Sequence, residues 1–289
     1  MFRVALITCF TAFRGFALTI YPMPQPLEAV VLPDAQGIAK PAAPDDPIIL
    51  ELSIAGMIDF ELWDDVALVL VQAQNGSMRP YQIKAILIDL DSTLGAPSYS
   101  GVIFNSIRQF ADRLNIPVYA YVSANCSGAG YLAACAADLI YCADSATIGG
   151  LGVLTRPFFN FRNNITIEEH FMNLQVAHNP EVELLYEGTY KNAGDPFAIW
   201  DDQLFENTAE QTEVLYNNFI DIIAARRPHL TKEQIRDQLG AREFSGLEAG
   251  QLGLVDAVSQ TRASTLHDLS LAAGIAANYR VVALIKADN

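Results

Sequence analysis

From Ile48 onward the chain alternates short apolar runs with longer stretches of helical periodicity, and no other feature restricts its fold as much. "IILELSIAG", "KAILIDLDS", "VYAYVS" and "DLIYCA" have the length and the aliphatic and β-branched content of buried strands. Between them lie helical stretches near Leu62 to Gln74, from about Ser100 to Leu114, and after Ser127. Parallel strands need a crossover, usually a helix, so this order predicts an α/β domain with a largely parallel sheet and flanking helices. Functional loops in such sheets gather at the carboxyl ends of the strands. Ser92 to Pro97 and Asn125 to Gly130 both fall there. Later come a long helix from about Leu204 to Ala225, a second helix that Thr231 is placed to cap, and the segment "FSGLEAGQLGLVDAV".

The rest of the chain sets the boundaries. Seven of the 14 prolines fall between Pro22 and Pro47, which reads as an extended linker of residues 22–47 before a domain of residues 48–275 and a C-terminal tail of residues 276–289. Residues 1–21 begin basic and continue apolar, with Arg14 interrupting the run. A cleaved signal peptide, a membrane anchor, an interfacial helix and an ordinary packed helix all fit them. At 289 residues and 51% hydrophobic content the chain can bury a sizeable core. Its 18 Lys and Arg against 33 Asp and Glu give a net charge of -15, which excludes a nucleic-acid backbone as a natural partner. Cys9, Cys126, Cys135 and Cys142 form neither a CxxC pair nor a Cys/His zinc pattern, so no metal is expected.

Within "NCSGAGYLAACAADLIYCADSATIGGLGV", Ser127 stands where a strand-like run passes into small, helix-compatible residues. Two roles suit that place. A hydroxyl there can cap a helix, and it can also act as a nucleophile beside exposed N–H groups able to hold an oxyanion. A serine nucleophile needs a base. His170 in a helical "IEEHF", His178 in the turn-like "HNP", His229 between helices and His267 in a late helix have no adjoining motif that presents them to Ser127. Lys191 follows Tyr190 in "YEGTYKNAGDP", flanked by Gly188 and Gly194, where partial burial would favour the neutral amine that accepts a proton.

Taken together, four segments resemble the signal peptide peptidase A (SppA) family, Ser/Lys peptidases of the ClpP/crotonase fold. "KAILIDLDSTLGAP" resembles the family's strand ending in a Ser-Pro-Gly-Gly turn. "CSGAGYLAACAADLIYCADSATIGGLGV" is similar to its Ser-Gly-Gly-Tyr helix and following Thr-Gly-Ser-Ile-Gly-Val strand, "YEGTYKNAGDPF" to its Gly-x-Tyr-Lys segment, and "FSGLEAGQLGLVDAV" to its Ala-x-x-x-Gly-Leu-Val-Asp element. The resemblance covers about Ile48 to Val258.

It implies a ClpP/crotonase-like α/β fold, Ser127 as nucleophile, Lys191 as general base, and N–H groups near Gly95 and Gly128 as oxyanion donors. No metal or organic cofactor is implied. Peptides are the implied substrates, a homo-oligomer the implied assembly, and a membrane the implied surroundings. The chain departs from the pattern at three places. Thr93 and Leu94 replace the Pro and first Gly of the oxyanion turn, and Gly150 stands where the family often has a serine that helps hold the lysine. The third departure is the extra residue in Ser-Gly-Ala-Gly-Tyr, where aligning on Tyr131 puts Gly128 at the nucleophile position. Two arrangements follow: Ser127 faces the pocket, which is the reading taken here, or the helix keeps the Tyr131 register and Ser127 turns aside as a cap. The alternatives to a peptidase are a catalytically silent scaffold at the membrane and, against the "GTYK" segment, a crotonase-like acyl-CoA enzyme.

Overall fold

The computed structural model describes residues 27–75, 81–154, 165–170, 173–178 and 202–286. In chain order the elements are β1 (Leu27–Leu32), β2 (Pro47–Ala55), α1 (Phe60–Asn75), β3 (Gln82–Ser92), α2 (Pro97–Leu114), β4 (Val118–Ser127), α3 (Ala129–Ala134), β5 (Leu139–Cys142) and β6 (Thr147–Gly149). They continue with a β7 (Ile165–His170) and β8 (Asn173–His178) pair, α4 (Asp202–Arg226), a π-helical turn (Gln234–Leu239), β9 (Glu243–Ser245), α5 (Gly246–Gln251), α6 (Arg262–Ala272) and β10 (Arg280–Lys286). One sheet runs in the order β1, β10, β2, β3, β4, β6, β9, with β5 beside the first half of β4 and β6 beside its end. Five of its pairings are parallel and only the outer two, β1 with β10 and β6 with β9, are antiparallel, so the expected α/β class with a largely parallel sheet is what forms.

The central strands read as continuous apolar runs because both of their faces are covered. Ile48, Leu50, Leu52 and Ile54 of β2, Ile86, Ile88 and Leu90 of β3, and Val118, Ala120 and Val122 of β4 face one core. The alternate residues Ile49, Ala85, Leu87 and Tyr119 face a smaller one with Leu266 and Leu269 of α6. α2 buries Ile103, Ile107, Phe110 and Ala111, the three-to-four spacing of a single helix face. Pro97 opens that helix, and Asn115, with φ 50°, ends it.

Three expectations are corrected. Residues 22–47, read as linker, contain β1, with Leu27 buried, and residues 276–289, read as tail, contain β10, which lies between β1 and β2. β1 is free of proline and sits at a sheet edge, where its N–H groups are needed on one side only. The prolines beyond it are tied down by side chains: Arg262 donates to Pro33 O at 2.9 Å and Arg280 to Pro41 O at 2.8 Å. His170, read in a helix, ends β7, where the β-branched alternation of Ile165, Thr166 and Ile167 prevails. At Thr231 the cap forms, Oγ1 accepting from Gln234 N–H at 3.1 Å while Thr231 N–H donates to Gln234 Oε1 at 2.8 Å, but the turn that follows is π-helical.

Candidate active site

The carboxyl ends of β3, β4 and β6 lie side by side, with Ser92 opposite Cys126 and Ser127 opposite Gly149. Three loops therefore meet: 92–96, 127–130 and 149–152. The first is stitched to the end of β2 by Ile58 N–H donating to Leu94 O at 3.0 Å and Ala96 N–H donating to Ile58 O at 2.8 Å. Its Gly95 is forced by proximity, because a Cβ there would lie 2.5 Å from both Ile58 Cβ and Ile58 O. Gly95 N–H donates to no described backbone carbonyl. Leu94 is 55% exposed on this loop. Nearby, exposed Phe60 packs against Trp63 and Tyr99, with ring centroids 5.4 and 6.2 Å away.

Ser127 is the last residue of β4 and is 1% exposed, and among the described residues its Oγ has no hydrogen-bond partner. The capping role is therefore not taken up: Gly128 holds the N-cap position of α3 and no side chain caps that helix. Gly128 forms the apex of the strand-to-helix turn with φ 54° and ψ -115°, a conformation that residues with a side chain adopt only under strain. Its N–H donates to Gly149 O at 2.9 Å, and its carbonyl accepts from Leu132 N–H at 3.2 Å. The Gly128 N–H, near which an oxyanion donor was expected, is thus engaged by β6. The next N–H, on Ala129, stands at a helix position without an intrahelical acceptor.

Two buried contacts fix the helix in the register set by Tyr131. The Tyr131 ring is fully buried and its OH donates to Leu254 O at 2.7 Å, as a buried phenol requires. Gly130 packs so closely on β3 that a Cβ would lie 2.5 Å from Ser92 O. Neither expected arrangement is met in full: Gly128 is at the apex, yet Ser127 is not a cap. Ser92 Oγ, likewise 1% exposed, also has no partner among the described residues.

Gly150, with φ 60°, lies close against Ser127. An added Cβ there would stand 3.1 Å from Ser127 Cβ, 3.2 Å from Gly128 N and 3.6 Å from Glu243 Oε1. Glu243 was not singled out from the sequence. It reaches the site because β9 pairs with β6, with Gly149 opposite Glu243, and no local pattern signals that pairing. Lys191 lies outside the described residues. Of the histidines considered as bases, His229 is engaged by Gly253 O at 2.7 Å and His267 lies on α6.

The model of peptidase family S49 matches residues 111–270, more than half of the chain. The chain belongs to peptidase family S49. The matched S49 region runs from the end of α2 into α6 and includes Ser127, Gly128, Gly150, Lys191 and Glu243, whereas Gly95 precedes it. Among curated relatives, the Na(+)/H(+) antiporter NhaA of Brucella abortus (strain 2308) is 26% identical over 178 residues, 62% of this chain and 23% of that protein. "Putative protease slr0021" of Synechocystis sp. (strain ATCC 27184 / PCC 6803 / Kazusa) is 27% identical over 177 residues, 60% of this chain and 57% of that protein. The matches thus span less than two thirds of these relatives.

Among solved structures, a lysine-to-alanine mutant of the 1510-N membrane-bound stomatin-specific protease in complex with a substrate peptide is 17% identical, with TM-score 0.46, covering 86% of this chain and 94% of that one. A ClpP1 mutant from Listeria monocytogenes is 17% identical, with TM-score 0.46, covering 75% and 94%. Membership in S49 supports a serine peptidase in general terms. Among the described residues, no helix of this S49 chain is long and apolar enough to cross a membrane.

Proposed function

We propose that this S49 chain is a serine peptidase that cleaves short or signal-derived peptides through an acyl-enzyme on Ser127, with Lys191 as general base. The observation that carries this reading is the Ser127 hydroxyl, buried at the end of a central parallel strand and bonded to nothing among the described residues. A buried hydroxyl without a partner costs stability, and such groups persist in folded proteins where they serve a reaction. In the proposed step neutral Lys191 takes the Oγ proton while Oγ attacks the peptide carbonyl. Gly95 N–H stabilises the oxyanion, the C–N bond breaks as the lysine protonates the leaving amine, and water then hydrolyses the ester. Turnover rises with pH as the ammonium of Lys191 deprotonates. A homo-oligomer, and membrane association through residues 1–21, belong to the same proposal. The basic, then apolar, start of the chain supports the second of these.

One observation favours a second reading, a catalytically silent S49 scaffold: the apex of the turn is Gly128, which has no side chain with which to attack. Labelling of the full chain with a fluorophosphonate separates the two. Wild type labels and Ser127→Ala and Lys191→Ala do not, if Ser127 is the nucleophile. An unlabelled wild type together with a labelled Gly128→Ser variant assigns the apex to position 128 and leaves the scaffold. A Cβ at Gly128 meets only Gly150 O at 3.5 Å and Thr93 O at 3.9 Å, so the substitution is opposed by the backbone conformation of the turn and not by contacts, and its folding is checked by circular dichroism alongside the labelling.

A further inference from the structure

We infer that Arg226, together with Arg108 and Asp138, is a positioning residue for the proposed reaction: the three form one tie that holds the Ser127 turn relative to the other segments of the site. This rests on the reading that Ser127 is the nucleophile. Each segment of the site is followed by a helix. α2 follows the loop 92–96, α3 follows Ser127, and α4 is the first described helix after Lys191. The elements come together again, away from the site, at Asp138. Its Oδ1 accepts from Arg108 Nη1 of α2 at 2.9 Å and from Arg226 Nη2, at the end of α4, at 3.2 Å. Its Oδ2 accepts from the N–H of Val118, the first residue of β4, at 2.9 Å, and its own N–H donates to Val118 O at 2.7 Å. Asp138 thereby closes the base of the strand-and-helix unit that has Ser127 and Gly128 at its other end.

The same guanidiniums hold the exit of α3. Arg226 Nε donates to Cys135 O and its Nη2 to Ala137 O, both at 3.0 Å, and Arg108 Nη1 donates to Ala136 O, also at 3.0 Å. Carbonyls at the end of a helix have no intrahelical donor, and cations suit that end of its dipole. Arg108 is held in turn by Asp112, one turn along α2. An isolated surface ion pair would fix little, but Arg108 and Arg226 are only 16% and 29% exposed, and their hydrogen bonds converge on four consecutive residues, 135–138. α3 has six residues, all buried, so it has no loose turn in which to absorb a displacement. A shift at its C-terminal end is therefore carried to the Gly128 apex and to Ser127. The bonds of both arginines go to backbone carbonyls and carboxylates, so their effect on the reaction is through position: where Ser127 Oγ stands relative to the 92–96 loop and to the chain leading into α4. A misplacement of about 1 Å is enough to slow a reaction up to a hundredfold.

The test separates the geometry of each site from the number of folded sites. The full chain is compared with Arg226→Gln and Arg226→Lys, and with Arg280→Gln as control. Arg280 has the same kind of contacts, to Pro41 O at 2.8 Å and to an Asp46 carboxylate oxygen at 3.4 Å, but it stands on β10, with β2 and β3 between it and β4. Well below the unfolding temperature, fluorophosphonate labelling gives two quantities: the final fraction labelled, which counts folded sites, and the rate constant per site. Arg226→Gln lowers the rate constant roughly tenfold at an unchanged final fraction. Arg226→Lys, which keeps the charge but not the planar fork, recovers part of the loss. Hydrogen exchange in the segment from Gly128 to Leu132 speeds up roughly tenfold in Arg226→Gln and stays at the wild-type rate in Arg280→Gln. If Arg226→Gln does not fold, Arg108→Gln, which leaves the Cys135 and Ala137 contacts in place, supplies the same comparison. A wild-type rate constant per site overturns the inference, and so does a loss confined to the final fraction, which is what a purely structural role gives. Unchanged exchange between Gly128 and Leu132, or an equal change in Arg280→Gln, overturns it as well. If wild type does not label at all, the peptidase reading falls, and hydrogen exchange alone decides whether the tie fixes the turn.

Discussion

Substituting Gly130 by alanine probes the contact that holds the candidate site together. The new Cβ would stand 2.5 Å from Ser92 O, 3.1 Å from Ser92 Cβ and 3.2 Å from the Ser92 carbonyl carbon. That is about 1 Å short of ordinary contact, and the obstacle is the backbone of a central strand, which has no rotamer to change. Alanine gains at most ~1 kcal/mol over glycine in a helix, while overpacking of this kind costs ~1–3 kcal/mol, with the upper end expected where backbone must move. The net expectation is a loss of about 2 kcal/mol. Gly101, in the second turn of α2, is the control, because a Cβ there meets nothing within 4 Å and alanine should stabilise by about 0.5–1 kcal/mol. Urea unfolding of both variants at equal m-value measures the pair. Displacing α3 also moves Gly128 away from Thr93, so fluorophosphonate labelling slows in Gly130→Ala but not in Gly101→Ala. If Gly130→Ala is as stable as wild type, or if both variants change by the same amount, the close approach of α3 to β3 does not fix this site.

Further outcomes follow from the buried charges and thiols. Arg227 is 4% exposed, with Nη1 2.7 Å from Asp256 Oδ2; Arg227→Met removes this charged hydrogen bond but leaves a carboxylate that is a quarter exposed and still accepts from Ile140 N–H at 2.7 Å, so the loss should be about 1.5–3 kcal/mol. Lys232→Met breaks an exposed pair with Asp221 and should stay within about 0.5 kcal/mol in the same denaturation assay. Burial pushes the Cys135 thiol up to about 12 and the Cys142 thiol up to about 11, and raises Cys126 as well. Alkylation at pH 8 with peptide mapping should therefore leave these three unmodified until urea is added, and prompt native labelling of any of them would contradict the packing. Burial raises the Glu51 carboxyl above its ordinary 4.5, a shift that pairing with Arg262 offsets only in part. The folded chain then holds this proton more tightly than the unfolded one. The stability of wild type relative to Glu51→Gln is thus greatest below pH 4.5 and declines as pH rises through the folded value, which denaturation at several pH values would show or refute.

Local pattern accounts for the short-range features. The alternation of apolar runs with helical periodicity specified a largely parallel α/β sheet, and placed Ser92 to Pro97 and Asn125 to Gly130 at strand ends, because periodicity and burial act over a few residues. Thr231 was legible as a cap for the same reason. Tertiary structure decided the rest. A prolyl stretch and a chain terminus became β1 and β10 only because Leu27 pairs with Lys286 and β10 with β2, contacts between residues far apart that no window of sequence contains. Whether Ser127 or Gly128 stands at the apex turned on a one-residue offset that local pattern leaves degenerate. It was fixed by the Tyr131 hydroxyl reaching Leu254 O and by Gly130 lying against Ser92. Glu243 came close to Ser127 through the pairing of β9 with β6.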